Sequence, residues 1–187
     1  MLIIIISAQA LFIVSNIVGG VAVLGGYYWG IASFPEYREA LWGGIQGNLR
    51  TILTISMVLA ALGYLVFCYV SLFRDGLVNF NETNIFGTNT VEIVVIIFLA
   101  SAALWMPSTI FYLKTQNSLL WIVSIASLWI TALALLTLIY ISVSTDSNSI
   151  GIGTKYLAIS GLSSITFHCL VFDAIIWVVL FHSNKGT

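Results

Sequence analysis

The sequence predicts an all-α integral membrane protein, a bundle of five transmembrane helices, and three observations carry that reading. Of its 187 residues 60% are apolar and only 7% are charged, where soluble domains carry ~25% charge. Five apolar stretches are long enough to span a bilayer. A helix needs about 20 apolar residues to cross ~30 Å of hydrocarbon, because lipid satisfies no exposed backbone group. Turn-forming and charged residues fall between these stretches rather than inside them. Six basic and seven acidic side chains cannot clothe a soluble fold of this length, and a net charge of -1 leaves no basic patch for phosphates. Composition therefore excludes a soluble enzyme, a nucleic-acid binder and a disordered chain.

The first span covers roughly residues 2–28. Its apolar run is longer than the ~7–15 residues of a signal-peptide core and no Lys or Arg precedes it, so it is read as retained. The second covers about 51–73 and ends at Arg74-Asp75-Gly76. The third, 91–113, runs to Lys114-Thr115-Gln116-Asn117. The fourth, 119–143, stops at Thr145-Asp146-Ser147-Asn148, and the fifth covers 156–181. No repeat or low-complexity tract divides the chain, so residues 1–187 are read as one membrane domain.

Five spans put the termini on opposite sides. Arg38, Arg50, Lys114 and Lys185 share one side, and Arg74 and Lys155 the other. The basic excess places the C-terminus in the cytoplasm and the N-terminus outside or in a lumen. Asn81-Glu82-Thr83 then forms an N-glycosylation sequon on the outer face. Residues 29–50 make a long first loop rich in Trp and Gly. It either folds back over the bundle or lies at the headgroups, anchored by Trp42. Gly26 and Gly30, like Gly43 and Gly47, have the spacing of close helix contacts.

Ionisable groups inside a span are costly and mark a pathway, a site or a pair. His168 and Asp173 are the two that lie well inside one. At ~100° per residue they stand about 140° apart on an α-helix, so they share no face and form no dyad. Cys169, Asp173 and Trp177 do share one. Asp173 lines a cavity or ties the fifth helix to a neighbour; His168 is a hydrogen-bonded packing residue or a ligand. Arg50 and Glu92, at helix starts, are read as interfacial anchors. Cys68 and Cys169 are small buried hydrophobes without metal-ligand spacing. In the third span Pro107 removes a backbone hydrogen bond beside the flat face of Trp105, which suits a pocket for a flat apolar ligand. No hydrolase, zincin or phosphate-loop motif is present, and the chain is read as not an enzyme.

Leu104-Trp105-Met106-Pro107, Ile110-Phe111-Tyr112-Leu113 and Leu128-Trp129 resemble segments of the TspO/translocator protein family, the tryptophan-rich sensory proteins. Gly47-Asn48-Leu49-Arg50-Thr51-Ile52-Leu53, Met57, Tyr64-Leu65-Val66 and Phe172-Asp173 through Trp177 are similar to that family's second and fifth helices. The family's Trp-x-Pro-Pro is replaced by Trp42-Gly43-Gly44, Arg50 stands where a Trp is expected, and Ala102 where an Asn is expected. The resemblance implies five helices and a TspO-like protein that binds a tetrapyrrole (haem or protoporphyrin) or a sterol or other lipid inside the bundle, as transporter or sensor. By it Asp173 takes the place of a cavity-lining Asn. Trp105, Trp129 and Trp177 would supply stacking area, with Pro107, His168 and Trp42 beside them. No cofactor is required. The implied partners are the lipid bilayer, a small apolar ligand and a homodimer or membrane-complex partner. Two alternatives stand beside it: a non-catalytic structural or assembly subunit of a larger membrane complex, and an intramembrane lipid or sterol enzyme using His168 and Asp173.

Overall fold

The computed structural model describes residues 7–83 and 85–182. Within them the chain is all-helical, with no β-strand, and five of its helices are long and apolar enough to cross a membrane. These are α1 (Ala8–Ser33), α2 (Gly47–Phe73), α4 (Thr90–Thr115), α5 (Ser118–Ser144) and a composite fifth span. That last span comprises α7 (Ile152–Phe167), a π-helical segment (His168–Trp177) and α8 (Val178–Leu180). Two short helices, α3 (Gly76–Asn81) and α6 (Ser147–Ile150), sit in the connections.

The helix ends fall a few residues from the bounds that apolar content sets. Expected residues 2–6 of the first span, and Lys185, lie outside the described residues. α1 starts at Ser7, whose hydroxyl accepts from Ala10 N at 3.2 Å. It continues past the expected end at Tyr28 because no breaker intervenes before Pro35, which disfavours helix at Phe34. α2 begins at Gly47 rather than Thr51, and α7 at Ile152 rather than Tyr156. The first connection is therefore 34–46, with 3-10 turns at Pro35–Tyr37 and Ala40–Trp42. It lies across the end of the fifth span. Gly44 N donates to Leu180 O at 2.9 Å, and Trp177 Nε1 donates to Leu41 O at 2.8 Å. Gly43, at φ +56°, leaves no room for a side chain against Phe181.

α1 packs on α4, α4 on α5, α5 on the fifth span, and the fifth span on α2. Three of these four contacts have a small-residue device. Gly19 and Gly30 of α1 admit Leu99 and Met106 of α4. Ser101 and Thr131 share a hydrogen bond of 2.8 Å, and Thr109 and Ser124 one of 2.6 Å, joining α4 to α5. Gly63 and Gly161 bring the α2 and α7 backbones together, so that a Cβ on either would stand 2.5 Å from the other's carbonyl oxygen. α1 and α2 meet more sparingly, through Asn16. Its Oδ1 accepts from Tyr64 Oη at 2.7 Å and from Cys68 Sγ at 3.6 Å.

One expectation is corrected at the other end of the bundle. Glu92 is not an interfacial anchor: it is fully buried, and both carboxylate oxygens accept from Asn81 Nδ2, at 3.1 and 3.0 Å. α3 folds back over the start of α4 and carries Asn81 inward, where its Oδ1 also accepts from Val91 N at 2.8 Å. The sequon asparagine is thus buried, with its amide nitrogen engaged.

Candidate functional site

The loose seam between α1 and α2 leaves space inside the ring. A cavity of about 300 Å³ lies between α1, α2, α4, the π segment and the 34–46 connection. A second, of about 250 Å³, adjoins it further into the bundle. Tyr27, Met57, Trp105 and Asp173 border both.

Three aromatic rings form the inner wall. Tyr27 and Trp105 have centroids 5.4 Å apart at a tilt of 38°, and Trp105 meets Trp177 edge-on at 5.3 Å. The Trp105 indole N–H is buried and has no hydrogen-bond acceptor among the described residues, which leaves one strong donor unsatisfied. The Trp177 N–H, by contrast, is spent on Leu41 O.

Asp173 stands beside them because of the backbone. On an α-helix it would diverge from His168. In the π-helical segment each turn holds an extra residue, so residues five apart align. His168 Nε2 lies 3.5 Å from Asp173 Oδ1, which corrects the expectation that the two share no face. Nδ1 of the same ring is 3.0 Å from Ser56 Oγ on α2. Both ring nitrogens are therefore engaged, and His168 borders the second cavity as a bridge rather than as an open metal ligand. Ser56 itself faces an outer apolar groove between α2 and α7.

The mouth of the first cavity is charged. Arg50 donates to both Glu39 carboxylate oxygens, at 2.7 and 3.2 Å, and its guanidinium lies 4.4 Å above the Trp42 ring. The hydrogen bonds from Arg50, and then its charge, hold Glu39 below the ordinary glutamate range. Arg50 is thus more than an interfacial anchor: it fastens the first connection to α2. Arg38 also borders the mouth, with its Nε donating to Ile31 O at 2.8 Å.

Of the residues singled out from sequence, Trp42, Trp105, Asp173 and Trp177 line the first cavity, and Trp105, Asp173 and His168 the second. Trp129 lines neither. Its neighbour Leu128 takes the inward direction, and one helical step turns Trp129 to the outer face, where it is 41% exposed. Pro107 also lines neither cavity; α4 runs through it, while Ser108 and Thr109 hydroxyls bond the carbonyls of Leu104 and Trp105. Sequence reasoning missed Tyr27 and Glu39, and named Met57 only within the resemblance and not as a lining residue. Tyr27 and Ile31, four apart, put one face of α1 on the cavity, but α1 is apolar all round and shows no stripe.

No protein-family model, curated protein or solved structure matches the chain.

Proposed function

We propose that this multi-pass membrane protein binds a flat apolar ligand, a tetrapyrrole or a sterol or other lipid, inside its helix bundle in the manner of a TspO-like transporter or sensor. The carrying observation is the convergence of Trp105, Trp177 and Asp173 on one cavity, with the Trp105 N–H buried beside it and without an acceptor among the described residues. A buried unsatisfied donor costs about 1–3 kcal/mol, and a ligand acceptor relieves that cost. The first cavity alone is at the small end of ligand sites. A tetrapyrrole needs both, and Met57, unbranched and adaptable, borders the two together with Tyr27, Trp105 and Asp173. The 34–46 connection, fastened by Glu39, Arg50 and Trp42, is then the lid. The basic excess puts that lid and the C-terminus on the cytoplasmic side.

The test is tryptophan quenching of the detergent-purified protein titrated with protoporphyrin IX and with haem. Saturable quenching at micromolar ligand or below, weakened in Asp173→Ala and Trp105→Ala, is the expected result. Linear quenching, equal in every variant, means partition into the micelle and overturns the reading.

A second reading, an intramembrane lipid enzyme, draws on the Ser56–His168–Asp173 alignment. Ser56 faces the outer groove, where an acyl chain would lie. A fluorophosphonate probe that labels wild type and not Ser56→Ala would favour it; absence of labelling discards it.

A further inference from the structure

The chemistry of the inner cavity narrows the ligand beyond "flat and apolar". We infer that the cavity takes an ammonium amphiphile, a protonated amine or quaternary ammonium on a flat apolar body, with the cation held by Asp173 among Tyr27, Trp105 and Trp177. This rests on the binding reading above and deepens it.

Three aromatic rings around one carboxyl are the components of a cation cage. Ring faces attract a cation within about 6 Å, most strongly where it is desolvated. Among the described residues the only basic side chain within ion-pair range of Asp173 is His168, at 3.5 Å. That ring also spends a nitrogen on Ser56. The two arginines at the rim are held elsewhere, Arg50 by Glu39 and Arg38 by Ile31 O. A carboxyl so placed, in an apolar bundle, is best balanced by a cation that arrives with the ligand. It disfavours a carboxylate at the same depth, because like charges in a dry site repel.

The protein builds the same recognition from its own side chains at the rim. There the Arg50 guanidinium rests 4.4 Å over Trp42 and is clamped by the Glu39 carboxylate. The inner set repeats the ring and the carboxyl, with no lysine or arginine among the described residues set against them. The rim shows a cation on an aromatic face beside a carboxylate; the inner wall brings three aromatic rings and a carboxyl to one cavity.

The probes are three naphthalenes of equal shape: naphthylmethylammonium, naphthylmethanol and naphthylacetate. Each is titrated calorimetrically into the full chain in phosphatidylcholine nanodiscs, with empty nanodiscs as the partition control. The ammonium is expected to bind at least about tenfold more tightly than the alcohol, and the acetate most weakly. Asp173→Asn is expected to erase the ammonium-over-alcohol preference. Tyr27→Leu, which removes a cage ring but keeps the carboxyl, is expected to reduce it about threefold. The inference is overturned if the alcohol or acetate matches the ammonium in wild type, or if Asp173→Asn keeps the preference. Saturable porphyrin quenching without an ammonium preference removes the cation inference and leaves the binding reading standing. No saturable binding of any probe removes both.

Discussion

Trp105 combines a large stacking surface with an indole N–H that nothing among the described residues accepts. Trp105→Phe keeps a ring against Tyr27 and Trp177 and deletes the donor. Its thermal midpoint without ligand is expected to hold or rise, while affinity for an acceptor-bearing ligand falls roughly fivefold, about 1 kcal/mol. A lower midpoint with unchanged affinity would make Trp105 a packing residue only. Asn81 presents the opposite case, a polar group fully committed. Its amide nitrogen serves both Glu92 oxygens and its carbonyl caps Val91 N. Asn81→Ala strands a buried carboxyl and is expected to cost about 3 kcal/mol in detergent unfolding. For the same reason, protein made in a eukaryotic secretory membrane should show no glycosidase-sensitive mass at Asn81; a glycan there would contradict the buried geometry. Asp173 and Trp105 were legible in the sequence because a carboxyl in an apolar run and a Trp beside Pro107 stand out locally. The burial of Asn81 was not legible, since a tripeptide carries no information about whether its side chain faces inward.

Between elements, the phase of the fifth span was the least legible feature. His168 through Trp177 is apolar nearly all round, so no periodic stripe reports how many residues each turn holds. Assuming 3.6 per turn separates His168 from Asp173, and the π-helical turn joins them. The glycines were legible only in part. Gly30 has the spacing of a close helix contact and does admit Met106, but Gly63 and Gly161 belong to different spans and reveal their contact only in three dimensions. That crossing sets the distance between α2 and the fifth span, and with it the reach from Ser56 to His168. Gly63→Val or Gly161→Val is expected to lower stability by about 1–3 kcal/mol, the usual cost of overpacking, or to prevent folding. Gly20→Ala, with nothing within 4 Å of the added methyl, is the silent control. Equal melting of all three variants would show that the close crossing contributes nothing.

For the whole molecule, the number of spans follows from bilayer thickness and so could be counted from composition. The order in which the spans pack, and the open seam between α1 and α2 that houses both cavities, could not: every span is apolar enough to neighbour any other. What joins the seam at the mouth is polar and exposed, the Glu39–Arg50 pair over Trp42, and that makes it separable by experiment. Glu39 has a lowered folded-state pKa, so the clamp is complete above the ordinary glutamate range and is lost as pH falls through the shifted value. Ligand exchange, followed by stopped-flow tryptophan fluorescence in nanodiscs, is therefore expected to be slow at neutral pH and to accelerate below the glutamate range. Added salt, which screens an exposed pair, should accelerate it in the same direction. Glu39→Gln should exchange quickly at every pH, with the acid-dependent step gone, because the neutral amide cannot hold Arg50 as an ion pair. Exchange that is equally slow in wild type and Glu39→Gln at neutral pH would place the entrance elsewhere. The lateral seam between α1 and α2 would then be the route, since ligand arriving there from the lipid never passes the clamp.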